Sequence, residues 1–164
     1  MLPNTAGPAG RAKVAEEKPK QTDLPLILLI ENDDEDIFFF RRALQRLDWK
    51  GDVRVVGSAS EARLYMEGEF PFDDRTYYRL PQLIVSDFRL AGHTALDFIS
   101  WLRLQPTLSE VPIVMLSGVA SGLDAEKLAR LGARGFVPKT GDVPKLAEAL
   151  RPLLPLAFLI ASCA

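Results

Sequence analysis

Short aliphatic runs along the chain alternate with segments in which apolar residues recur at three- and four-residue spacing. The first run, LILLI, is continuous, which is typical of a strand buried on both faces of a sheet. It ends abruptly in a cluster of acidic residues. Together the runs predict five strands, at Leu26–Ile30, Val53–Val56, Leu83–Ser86, Ile113–Leu116 and Gly135–Val137.

Amphipathic helices are predicted after each of these strands. The first is marked by Ile37, Phe40, Leu44 and Leu47, and the acidic residues ahead of it suit the positive N-terminal end of a helix. The others are predicted at Ser60–Glu67, Ala95–Leu104, Leu123–Leu131 and Val143–Leu154. Alternating strands and helices predict a doubly wound α/β fold, in which a five-stranded parallel sheet has helices on both faces. We expect this domain to span residues 24–154.

Composition narrows the classes of protein that the chain can belong to. Its 164 residues, 48% of them hydrophobic, suit one domain. A net charge of -2 gives no basic excess, so we expect no nucleic-acid partner. The single cysteine, Cys163, cannot form an internal disulfide, which fits a cytoplasmic location.

The two ends of the chain differ in composition from the predicted domain. Residues 1–23 mix proline, glycine, lysine and glutamate, and predict a disordered leader without a secretory signal. Residues 155–164 form an apolar C-terminal tail that is too short to cross a bilayer. We therefore expect no membrane span.

Polar side chains follow four of the five predicted strands. Glu31 and Asn32 follow the first strand, Asp87 the third, Ser117 the fourth and Lys139 the fifth. Ligands bind outside the carboxyl ends of the strands in such folds, so these side chains should meet in one crevice. Carboxylate and amide oxygens are ligands for Mg²⁺. A central carboxylate can act as a nucleophile, and a hydroxyl and an ammonium can each hold a phosphoryl oxygen.

At four of these strand ends the sequence resembles the receiver domains of two-component response regulators. The matching motifs are LLIEND, LIVSDFRL, PIVMLSG and GFVPK, in the family's order and spacing. The resemblance implies a flavodoxin-like sheet with the strand order 2-1-3-4-5. It also implies a signalling phosphoprotein rather than a conventional enzyme, with chemistry limited to gaining and losing its own phosphoryl group.

The resemblance assigns a role to each matching position. Asp87 corresponds to the phosphorylated aspartate, Lys139 to the lysine, and Ser117 to the hydroxyl residue that also takes part in the switch. Phe136 corresponds to the aromatic switch residue, without a hydroxyl. The Mg²⁺ ligands that the resemblance implies are Glu31, Asn32, Asp87 and the backbone carbonyl of Arg89.

The same resemblance implies the partners. The phosphoryl group would come from a sensor histidine kinase or a histidine phosphotransfer protein, and a further protein would read the changed surface. Residues 123–154 would form that surface and a possible homodimer contact. The long 68–82 connection resembles a loop in single-domain regulators that partner bacterial phytochrome kinases, although such a loop can equally cover a sheet edge.

Four positions depart from the family's pattern, one of them Ala95, which stands where glycine is usual. Asn32 replaces an aspartate that commonly contacts the metal, so we expect weak Mg²⁺ binding, with Asp33 as a partial substitute. Thr140 stands where a proline with a cis bond is usual. Ala91 stands where many receivers have proline.

Two other functions stay open at the level of sequence. Asn32 and Thr140 are compatible with an interaction module that works without phosphorylation. A phosphohydrolase with an aspartate nucleophile would need an Asp-x-Asp pattern after the first strand, whereas Glu31 and Asp33 give Glu-x-Asp.

Overall fold

The computed structural model describes residues 24–90, 93–118 and 122–155, and at 90, 93, 94 and 122–124 it describes the backbone alone. The expected leader at 1–23, Ala91, and the tail beyond residue 155 with Cys163 lie outside the described residues. Within the described ranges, no helix is long and apolar enough to cross a membrane.

Five parallel strands form the central sheet. They are β1 (Leu26–Ile30), β2 (Asp52–Val56), β3 (Leu83–Asp87), β4 (Ile113–Ser117) and β5 (Gly135–Pro138). Their order is β2-β1-β3-β4-β5, with β1 paired to β2 on one side and to β3 on the other. The predicted doubly wound fold and the order 2-1-3-4-5 are therefore confirmed.

Helices cover both faces of this sheet. They are α1 (Asp34–Arg46), α2 (Ala59–Glu67), α3 (Ala95–Arg103), α4 (Gly122–Arg130) and α5 (Val143–Leu150). Side chains alternate across a strand, so Leu28 of β1 packs in the core under α2, α3 and α4, while Leu29 packs in the core under α1 and α5. β1, β3 and β4 are buried along their whole length, which explains why continuous aliphatic runs marked them.

The prediction of one helix from Val143 to Leu154 is wrong in its last turn. α5 ends at Leu150 and a 3₁₀ turn, Arg151–Leu153, follows. Pro152 has no N–H group to donate to the preceding turn, so the α-helical hydrogen bonds stop there.

The long 68–82 connection packs against β2, which is one of the two edge strands of the sheet. The guanidinium of Arg54 lies 4.1 Å from the ring centre of Tyr77, and Arg79 forms an ion pair with Asp52. Arg75 donates hydrogen bonds to backbone carbonyls near the end of α2. The connection thus has an ordered structural role at the sheet edge.

Candidate functional site

The carboxyl ends of the strands bring four of the expected site residues together. Asp87 and Ser117 are the last residues of β3 and β4, Glu31 directly follows β1, and Lys139 directly follows β5. The Lys139 N–H donates to the Ser117 carbonyl at 2.9 Å, which ties the two neighbouring strand ends. An open depression of about 230 Å³ lies here, lined by Asp87, Phe88, Arg89, Ser117, Gly118 and Lys139.

The ammonium group of Lys139 is the centre of the site's ion pairs. Its Nζ lies 2.6 Å from Glu31 Oε2, 2.6 Å from Asp36 Oδ2 and 3.2 Å from Asp87 Oδ2. A lysine ammonium has three N–H donors, so three carboxylates can use all of them. The side chain is 17% exposed.

These contacts shift the acid–base behaviour of Lys139. Burial by itself works to lower its pKa, because it penalises the charged form. Hydrogen bonds to Asp36 and Glu31, together with the charge of Asp87, outweigh this effect and hold the pKa of Lys139 above its usual 10.5. The lysine is therefore a fixed positive charge at neutral pH.

The Glu31 carboxylate is almost fully buried, and its hydrogen bonds account for that position. Oε1 accepts the backbone N–H groups of Asn32 and Asp33 at 3.0 and 3.1 Å, while Oε2 accepts from Lys139. A buried charge needs such partners. Glu31 therefore holds the turn after β1 and orients Lys139.

Asp87 and Ser117 face the same depression. The Arg89 N–H donates to Asp87 Oδ1 at 3.2 Å, within a turn that continues as a two-residue antiparallel pairing of Arg89–Leu90 with His93–Thr94. The Ser117 hydroxyl is buried and finds no hydrogen-bond partner among the described residues. Buried hydroxyl groups are normally paired, so this hydroxyl is an exception that calls for an explanation.

Asn32 and Asp33, which follow β1, occupy positions that the sequence did not predict. The Asn32 side chain is exposed. Asp33, expected as a partial substitute in metal binding, is instead the N-cap of α1, with Oδ1 accepting the N–H groups of Glu35 and Asp36.

Both carboxylates of the expected Mg²⁺ ligand set, Glu31 and Asp87, contact the Lys139 ammonium in this arrangement. Mg²⁺ requires near-octahedral oxygen ligands at about 2.0–2.1 Å. Glu31, Asp36 and Asp87 instead direct carboxylate oxygens at the Lys139 ammonium. Within residues 24–90, 93–118 and 122–155, no three acidic, histidine or cysteine side chains are grouped to hold a metal ion.

Phe136 and Thr140 lie beside the site without lining it. Phe136 is half-buried against the core under α2, α3 and α4. The Lys139–Thr140 bond is trans, the one cis bond of the described residues being Phe70–Pro71. The Thr140 hydroxyl accepts the N–H of Asp142, the N-cap of α5, so Thr140 helps to start that helix.

Fold and strand-end residues together define a doubly wound α/β protein with an acidic crevice and one lysine. The family model of the response regulator receiver domain matches residues 27–151, and the chain belongs to this family. Receiver domains are signalling modules of two-component systems, in which phosphorylation and Mg²⁺ are typical.

Two curated relatives are similar to parts of the chain. The phosphate regulon transcriptional regulatory protein PhoB of Rhizobium meliloti is 27% identical over 133 residues, which is 80% of this chain and 52% of PhoB. The polar-differentiation response regulator DivK of Brucella ovis is 26% identical over 74 residues, or 45% of this chain and 60% of DivK. The chain thus spans between half and two thirds of the length of these relatives.

Solved structures with this fold include regulators of light signalling. The response regulator RPA3017 in red light signalling of R. palustris has a TM-score of 0.74 at 22% identity, covering 79% of this chain and 91% of that one. The bacteriophytochrome response regulator RtBRR has a TM-score of 0.69 at 28% identity, covering 79% of this chain and 78% of its own. The similarity to RPA3017 concerns the fold alone.

Proposed function

We propose that the chain is a phosphoacceptor response regulator in which Asp87 receives a phosphoryl group from a sensor histidine kinase or a histidine phosphotransfer protein. The observation that carries the proposal is the arrangement around Asp87. Its carboxylate faces an open depression, with the Lys139 ammonium at 3.2 Å. The same depression contains the Ser117 hydroxyl, which has no hydrogen-bond partner among the described residues.

The chemistry assigns one role to each group. A carboxylate oxygen of Asp87 forms the new bond to phosphorus, while the P–N bond of the donor phosphohistidine breaks. The imidazole nitrogen keeps the electron pair and takes up a proton. Lys139 stabilises negative charge on the transferring oxygens, and Ser117 donates a hydrogen bond to one of them.

The product adds negative charge where one carboxylate stood before. A phosphoryl group carries close to two negative charges at neutral pH. We propose that it draws the Ser117 hydroxyl and the Lys139 ammonium toward itself, and that Phe136 on β5 repacks in response. The surface formed by α4, β5 and α5 would then change for a downstream partner or a second copy of the chain.

The metal requirement follows from the same geometry. Asn32 brings no charge to the site, and the carboxylates are engaged with Lys139. We therefore propose that Mg²⁺ binds weakly in this member of the family. The similarity to RtBRR, which is named as a bacteriophytochrome response regulator, supports a light-sensing kinase as one candidate partner.

The test is acquisition of one phosphoryl group from a small phosphodonor, read by intact-protein mass at increasing Mg²⁺ concentrations. We expect the added mass on the wild type and on Asp34→Asn, an exposed aspartate in the first turn of α1 that serves as the matched control. We expect none on Asp87→Asn. Absence of the added mass on the wild type at every Mg²⁺ concentration would favour the phosphorylation-independent interaction module, which Asn32 and Thr140 motivate.

A further inference from the structure

Asp36 forms an ion pair within the site, although no motif in the sequence marks it as a site residue. It lies in the first turn of α1, a helix that packs against α5 beside the end of β5. Its neighbours Asp34 and Glu35 are exposed, whereas Asp36 is partly buried and its Oδ2 lies 2.6 Å from Lys139 Nζ. The first turn of α1 therefore places the Asp36 carboxylate in contact with the Lys139 ammonium.

The Lys139 ammonium is not equally close to its three carboxylate partners. Its ammonium lies closer to Glu31 and Asp36, at 2.6 Å each, than to the acceptor Asp87, at 3.2 Å. Glu31 is fixed by two backbone N–H groups of its own. Asp36 has no comparable backbone duty, since Asp33 caps the helix. The Asp36 contact is therefore the one that can be given up without breaking the turn after β1.

We propose that Asp36 is a positioning residue that competes with the acceptor for Lys139, holding the ammonium toward α1 until a phosphoryl group on Asp87 draws it away. This inference rests on the proposed function. A transferring phosphoryl group needs the ammonium, and its growing charge is repelled by the Asp36 carboxylate nearby. Asp36 thus slows phosphorylation, and phosphorylation releases the first turn of α1 from the lysine.

The first test measures Lys139 itself, without any phosphoryl group. Acylation of Lys139 by an amine-reactive reagent at mildly alkaline pH, read by peptide mass spectrometry, reports how firmly the ammonium is held. Loss of one charge-assisted hydrogen bond should speed labelling roughly tenfold in Asp36→Asn. Asp34→Asn should label like the wild type, and Asp36→Glu, which keeps a carboxylate near the ammonium, should stay within about twofold of it.

The second test measures the rate of phosphorylation by a small phosphodonor. We expect Asp36→Asn to react roughly three to ten times faster than the wild type, corresponding to about 0.7–1.4 kcal/mol in the barrier. Asp34→Asn should leave the phosphorylation rate unchanged within about twofold. Asp36→Glu, which retains a carboxylate, should be phosphorylated at the slow rate of the wild type. Circular dichroism establishes that each variant is folded.

The outcomes separate the two claims. Equal or slower phosphorylation in Asp36→Asn, or unchanged Lys139 labelling, would overturn the competition while leaving Asp87 as the acceptor. Phosphorylation of none of the proteins would overturn the proposed function, and the competition with it.

Discussion

Replacing Lys139 with methionine removes the only cation that contacts Glu31, Asp36 and Asp87 among the described residues, and it should destabilise the fold. Removing one partner of a buried ion pair costs about 3–5 kcal/mol. Glu31 is 1% exposed, but Asp36 is 30% exposed, so water compensates part of the loss. We therefore expect Lys139→Met to lower the free energy of unfolding by about 2–3 kcal/mol.

Urea unfolding at neutral pH, followed by circular dichroism, measures this loss. In a thermal scan it should appear as a midpoint roughly 6–12 °C lower. Lys145→Met is the matched control, because that lysine is 78% exposed and pairs with Asp142 at 3.3 Å on the surface. Such pairs contribute about 0–1 kcal/mol. Equal stability of Lys139→Met and Lys145→Met would refute the reasoning.

The pH dependence of this difference provides a second check. The pKa of Lys139 is raised in the folded state above its usual 10.5. The stabilisation is then fully present below the unfolded-state value and is lost as pH rises toward the folded-state value. The difference between wild type and Lys139→Met should stay flat from neutral pH to about pH 10 and shrink above it. A difference that grows above pH 10.5 would contradict this.

Three other substitutions test separate parts of the account. Asp33→Ala removes the N-cap of α1 and should cost about 1 kcal/mol in urea unfolding, whereas Glu35→Ala in the same turn should cost less than half of that. Arg103→Met removes the guanidinium that donates hydrogen bonds to the backbone carbonyls of Ser109, Val111, Leu131 and Gly132. It should lower the free energy of unfolding by about 2–3 kcal/mol. The control Arg130→Met, which removes only a surface ion pair, should lower it by less than about 0.5 kcal/mol. Asn32→Asp adds a carboxylate beside Glu31 and should tighten Mg²⁺ binding on the order of tenfold in calorimetric titration of the metal alone; no change would show that charge at this position does not limit affinity.

The strands could be predicted because a strand buried on both faces consists of a continuous run of apolar residues, which is visible in the sequence. β1 and β4 are enclosed on both faces, so each reads as an unbroken aliphatic run ending at a polar residue. Once the strands are placed in parallel, their carboxyl ends bring Glu31, Asp87 and Lys139 to one edge. The order of the strands came from the family resemblance, since periodicity does not distinguish one crossover from another.

The acidic cluster after β1 could not be resolved in the same way. Residues 31–36 comprise five similar carboxylates and one asparagine, and their roles depend on how the chain enters α1. The structure divides them by backbone geometry, with Asp33 capping the helix, Asp36 turned onto Lys139 and Asn32 exposed. Their order along the chain does not reveal this division. The predicted span Val143–Leu154 extends past the end of α5 because Pro152, which lies within it, already interrupts the hydrogen bonds.

The central claim is that Asp87 carries the phosphoryl group, and mapping the modified residue tests it most directly. After reaction with a small phosphodonor, borohydride reduces an aspartyl phosphate to homoserine, which peptide mass spectrometry can locate. The account predicts homoserine at position 87 and an unmodified peptide containing Glu31 and Asp36. Homoserine at another aspartate, or an unmodified residue 87 in a protein that has gained the phosphoryl mass, would contradict it.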